Sequence, residues 1–139
     1  MTDLWNDKIT IYNDIPATAL ETRHFDRFVV VRCQIQGGYV TRSNGTIQNV
    51  INAKTVITKD LQHYLTPAEY SVLPVDKRGD YFTVRAGDFV VFGEVDDVVT
   101  TAAEYATLQT KYKDVGIKVM SVSVSINGMA VDNIAMANV

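Results

Sequence analysis

One cysteine, Cys33, stands in the whole chain, which excludes an internal disulfide. A lone thiol is expected as a buried strand residue of a protein that folds in a reducing compartment. Histidine is almost as scarce. His24 and His63 are the only two, and neither has metal-ligand spacing to Cys33 or to the other. Basic charge is not in excess: 13 Lys and Arg against 16 Asp and Glu give a net charge of −3 and a pI near 5.2. Phosphate binding needs clustered Lys and Arg, so this balance argues against a basic nucleic-acid clamp, though a locally basic loop remains open. No run approaches the ~18 apolar residues of a membrane span. Met1 to Asp7 lacks the basic and apolar stretches of a secretory signal, so a soluble chain made in the cytoplasm is expected, with no membrane partner.

What is present is apolar residue in strand-like order. Hydrophobic residues make up 47% of the 139, enough for the core of one domain. From Lys8 to Tyr12, Ile9 and Ile11 share one face, the period of a first strand, and Asn13-Asp14 with Pro16 then breaks it. Phe28 to Ile35 is a β-branched run that ends, on this reading, at Gly37-Gly38. Beyond them, Arg42-Ser43-Asn44-Gly45 reads as a hairpin tip, because Asn-Gly takes the positive φ angles of a type I′ turn. The segment from about residue 37 to 49 is therefore expected as a long protruding loop, with a return arm from Ile47 to Thr58.

Thr66-Pro67-Ala68-Glu69 is a helix start with a capping box, and Pro74 limits the helix to about two turns. Tyr81–Arg85 and Asp88–Phe92 read as two strands around a tight Ala86-Gly87 turn. The strongest helix begins at Thr101, with Glu104 completing a second box and Tyr105, Leu108 and Tyr112 at helical spacing. Lys111 and Lys113 suit its C-terminal end, and Gly116 is a stop signal. From Ile117 to Ile126 alternation runs unbroken, with Ser121, Ser123 and Ser125 on one face, and Asn133 to Ala137 is a last short strand. The expected fold is mainly β with one flanking helix, a small β-barrel or sandwich carrying a long protruding hairpin loop.

Chemistry is hard to find. Isolated histidines are far more often surface or turn residues than sites. Ser121, Ser123 and Ser125 read as the solvated side of a strand, with no nucleophile elbow around them. Glu94, Asp96 and Asp97 form the densest acidic group but lack the spacing of a calcium loop, and a charged turn before a helix accounts for them. Gly37-Gly38 does not extend into a phosphate-binding pattern. No catalytic residue, metal ligand or cofactor is expected.

Two stretches resemble a known family. The opening, Leu4-Trp5-Asn6-Asp7-Lys8-Ile9-Thr10-Ile11-Tyr12-Asn13, is similar to the start of small tailed-phage proteins known as minor capsid, head-completion or head–tail connector components. Gly79 to Val95 resembles their most specific pattern: Tyr-Phe-Thr, then Gly87-Asp88, an apolar pair and Gly93-Glu94-Val95. Between and beyond them Lys59-Asp60, then Pro67 with Glu69-Tyr70, then Lys111-Tyr112-Lys113 and the strand from Val119 to Val124 fall in the same order. The likeness covers nearly the whole chain. One departure is at the end, where the family often closes with His-Trp-x-Val and this chain has Asn133 to Val139, so no role is carried over to that tail.

The resemblance implies a stopper-like structural protein of the virion neck and no enzyme. Such a subunit forms a homo-oligomeric ring of six or twelve copies. The ring sits between adaptor or portal neighbours and tail-terminator neighbours, and packaged double-stranded DNA occupies its channel. On this view Arg42, Ser43, Asn44 and Gly45 contact the channel or a neighbour, and Trp5 anchors the N-terminal segment. Two alternatives stay open. One is a tail-terminator or other ring protein of the same particle. The other is an OB-like single-strand-binding module using Tyr39, Tyr81, Phe82 and Phe89, a class that needs aromatics interleaved with basic residues on one exposed face.

Overall fold

The computed structural model describes residues 7–19, 21–44, 47–128 and 130–138, with the side chains of 38–53, 127 and 130 left aside. Seven strands form one antiparallel sheet: β1 (Asp7–Ile15), β2 (His24–Asn44), β3 (Ile47–Thr58), β4 (Phe89–Phe92), β5 (Gly116–Lys118), β6 (Ser121–Asn127) and β7 (Ala130–Ala137). Their order across the sheet is β5-β4-β1-β2-β3-β7-β6. The chain is mainly β, and the sheet is curled into a half-barrel.

The curl is enforced by the chain. β5 and β6, at opposite ends of the order, are separated only by Val119 and Met120. Val119 accepts from Gly87 N–H and donates to the Asp88 carbonyl, both at 2.8 Å, while Met120 donates to the Ala137 carbonyl at 2.8 Å. Two adjacent residues thus bond to the two ends of the sheet. The single long strand expected over residues 117–126 is therefore broken in two. Ile117 and Val119 are buried before the break, and after it Val122 packs on the same core while Ser123 and Ser125 are exposed. The inward-facing parity changes at the break, from odd positions before it to Val122 after it, while Val124 and Ile126 further along are exposed. Gly116 starts β5 where a Cβ would lie 2.7 Å from the Val90 carbonyl oxygen, so glycine is required by close approach to β4.

Alternation along β1 divides the apolar residues between two faces. Ile9 and Ile11 join Val30, Val56, Val90, Ile134 and Met136 in the concave core. Tyr12, with Phe89 and Val91 of β4, lies on the other face beneath α2 (Ala102–Lys111, the second of two α-helices among the described residues), which contributes Tyr105 and Leu108. Burying a side chain such as Leu108 contributes roughly 1.5–3 kcal/mol. The helix starts where Thr101 Oγ1 accepts from Glu104 N–H, and the Glu104 carboxylate accepts from the Thr100 and Thr101 hydroxyls. Its far end is held by Asp97, which pairs with Lys111 at 2.7 Å and accepts from Tyr112 at 2.6 Å. α1 (Pro67–Ser71) begins with the expected Thr66–Glu69 capping box.

Two further expectations change. Tyr81–Arg85 does not form a strand: only Phe82 bridges, to Tyr64, although Phe82 and Val84 are buried. Their alternation reflects core contacts made by an irregular segment. β2 also does not stop at Gly37-Gly38 but runs through both, paired with Lys54 and Ala53. Glycine in a strand lowers its stability without ending it when a partner strand supplies the ladder.

The turn from Arg85 to Asp88 is where the elements meet. Gly87 has φ +101, which favours glycine. The Asp88 carboxylate is buried and accepts from Asp14 N–H at 3.1 Å, Arg85 N–H at 3.0 Å and the Asn13 side-chain amide at 2.8 Å. Tyr105 of α2 donates to the Gly87 carbonyl at 2.7 Å. Burial raises the Asp88 pKa, against these donors, which lower it. Asp88→Asn places an amide N–H against one of the donors, leaving it unsatisfied in the interior. The expected cost is about 1–3 kcal/mol, read from urea unfolding followed by circular dichroism; an unchanged midpoint would show that the turn does not depend on the carboxylate.

Candidate functional site

The most distinctive geometry is a two-stranded arm. β2 pairs with β3 over its whole outer length, from Cys33 with Thr58 to Asn44 with Ile47. β1 leaves β2 at Cys33, and β7 reaches β3 only from Thr55 to Thr58, with Asn138 bonding the backbone of Lys54. Beyond these points β2 and β3 have only each other among the described residues. At about 3.3 Å per residue, the arm from Gly37 to Asn44 extends roughly 25 Å.

This corrects the expected loop over residues 37–49. Arg42, Ser43 and Asn44 are strand residues, paired with Asn49, Gln48 and Ile47. The reason is the cross-strand ladder, which Asn-Gly signals only at its tip. Gly45 lies outside the described residues, as does Trp5.

β2 turns from the body into the arm at a bulge. Ile9 pairs with Val30 and Asp7 with Cys33, so Val31 and Arg32 together oppose Lys8. Arg32 takes φ +56, the left-handed conformation that costs a non-glycine residue roughly 1–2 kcal/mol. Its carbonyl accepts from Lys59 N–H at 3.1 Å, and the Val31 carbonyl accepts from the Thr58 hydroxyl at 3.2 Å. Cys33 follows, buried as expected, and burial pushes its thiol up to about 11, which keeps it protonated and inert.

A cleft of about 720 Å³ opens between the start of β2 and the segment after α1. Arg78 forms a two-pronged pair with Glu21, both contacts at 2.9 Å, and reaches His24 Nε2 at 3.3 Å. His24 also lies 3.4 Å from Asp26, which accepts from the buried Tyr70 hydroxyl at 2.6 Å. Burial, then the Asp26 contact, raises the Tyr70 pKa. Sequence reading gave no sign of this network, since its members lie far apart along the chain. The Arg78–Glu21 pair and the Tyr70–Asp26 hydrogen bond tie β2 and the residues just before it to residues 70–79, which suits a clamp.

The other sequence candidates have local partners. His63 Nδ1 is 2.9 Å from the buried Asp60 carboxylate. Asp97 is tied to α2, and Asp96 touches Arg27. Among the described residues no group of three His, Cys, Asp or Glu side chains is placed to hold a metal ion. Phe82 and Phe89, two of the aromatics a single-strand reader needs, are core residues and offer no exposed stacking surface. Among the described residues, no helix is long and apolar enough to cross a membrane.

A family model described as a family of unknown function (DUF6751) matches residues 4–136. Neither the curated proteins nor the solved structures give a match.

Replacing Arg32 by glycine is expected to raise stability by about 0.5–1 kcal/mol, since relief at positive φ outweighs the added chain entropy. A lowered urea midpoint would show that the Arg32 side chain matters more than its backbone. Arg78 holds the Glu21 carboxyl below its ordinary 4.5. The stability this supplies is present above that value and lost as pH falls through the lowered one. In Arg78→Met the drop in urea midpoint between about pH 5 and about pH 3 is expected to shrink; an identical drop in both proteins would contradict the assignment.

Proposed function

The chain belongs to the DUF6751 family, a family of unknown function; from its sequence and fold we propose that it is a structural subunit of the neck of a tailed bacteriophage, a head–tail connector of the stopper or head-completion kind. It is made in the host cytoplasm and assembles into a ring in the virion. The ring docks between portal-side and tail-side neighbours and helps retain packaged double-stranded DNA. It acts by shape and self-association, without catalysis.

The observation that carries this reading is the arm. A paired ribbon of roughly 25 Å leaving a small curled sheet is two strands wide, and an isolated two-stranded ribbon is marginally stable by itself, so a neighbour to rest against suits it. Ring symmetry multiplies each arm, so that several converge on a common axis. Arg42 lies near the end of the ribbon, so ring symmetry would repeat one cation per subunit there, the charge that phosphate binding uses. The chain is mildly acidic overall, which limits adhesion to DNA that must later pass. The sequence resemblance to connector proteins points the same way.

Deleting residues 42–46 shortens the arm at its tip and leaves the body intact. The deletion is expected to give soluble, folded protein and particles whose heads lose DNA or fail to join tails, scored by electron microscopy and plaque yield. Normal infectious yield would dispose of the proposal.

A further inference from the structure

The sheet leaves two unprotected edges. β6 pairs with β7 on one side and with no strand on the other among the described residues. From Val122 to Asn127 it carries no charge, proline or glycine, the usual devices that keep an open edge from pairing. Only the irregularity between Ser125 and Ile126 interrupts it. Exposed apolar side chains flank this edge: Val124 is 42% exposed, Ile126 66% and Val131 40%. Such an edge is a template for a further strand.

The second edge is on the arm. β3 from Ile47 to Ala53 pairs with β2 alone, and this stretch too has no charge, proline or glycine. It is similar in length to the β6 edge. The opposite edge of the arm is less suitable, since β2 there carries Gly37, Gly38 and Arg42.

We propose that the arm of one copy lays its β3 edge along the β6 edge of the next copy, adding a strand pair to that sheet. Backbone hydrogen bonds supply the affinity, as in other strand additions, and the apolar residues beside β6 are covered by the incoming ribbon. Because the two edges are different surfaces of one chain, the contact is head-to-tail and propagates until the rotation closes a ring. This names the partner surface of the proposed ring and rests on that reading.

Two variants with complementary defects test it. In the first, Ser123→Lys with Ser125→Lys charges the β6 edge at exposed positions and leaves the arm whole. In the second, residues 39–52 are replaced by Asn-Gly, which keeps the β6 edge. Circular dichroism and thermal melting check that both fold. In sedimentation velocity the wild type is expected to associate beyond the dimer as concentration rises. Each variant alone is expected to stay monomeric, and an equimolar mixture to form a one-to-one dimer, with one partner donating the arm and the other the edge.

Four results would overturn the pairing: a wild type that remains monomeric, a wild type that stops at the dimer, either variant associating like the wild type, or a mixture that does not combine. The ring reading is judged separately, by imaging the particle neck. Copies found there without this pairing would sink only the strand addition, and pairing in solution by a chain missing from the particle would sink only the ring.

Discussion

A single buried carboxylate determines how the elements of this fold are set against one another. Asp88 gathers donors from the end of β1 and from its own turn, and its backbone carbonyl receives Val119. Tyr105 adds the helix through Gly87. Local propensity creates the strands, but a sheet of this size can curl in more than one way. The convergence of N–H groups on one anion selects the arrangement in which β4 lies against β1 and the chain crosses at Val119. Charged acceptors form stronger hydrogen bonds than neutral ones, which offsets the desolvation of the carboxylate.

With the body fixed in this way, β2 can serve two purposes in one strand. Its first half is a body strand paired with β1, and its second half pairs with β3 and leaves the body. The bulge at Val31 and Arg32 separates them, and Thr58 at the end of β3 and Lys59 just after it bond to the bulged carbonyls from the other side. A bulge increases local twist and bends the strand. The direction of the arm is therefore set by hydrogen bonds at its root, while its outer part can take its rigidity from whatever it rests on.

Local signals were the legible part of the sequence. The Thr66–Glu69 box and the helix start at Thr101 depend on side chains three residues apart; the box stands as read, and at Thr101 the start stands with Glu104 bonding the Thr100 and Thr101 hydroxyls. The lone buried cysteine was equally plain. Signals whose meaning depends on distant partners misled. Gly37-Gly38 looks like an end until Lys54 and Ala53 are placed opposite. Phe82 and Val84 alternate as a strand does, yet serve only to plug the core. The interruption at Val119 and Met120 is invisible because alternation continues across it, and only the change from Ile117 and Val119 to Val122 as inward residues reveals it. The Glu21–Arg78–His24 clamp lies beyond sequence reading altogether, since nothing local pairs residues so far apart.

Because β5 and β6 are one stretch of chain bonded to both ends of the sheet, the half-barrel is fastened by a late-emerging segment. During translation β1 to β4 leave the ribosome with the concave apolar surface of Ile9, Ile11, Val30 and Val90 still uncovered. That surface is sealed only after Val119 and the β6–β7 hairpin have followed. Truncation or ribosome stalling before that point would leave this apolar surface open to unwanted contacts.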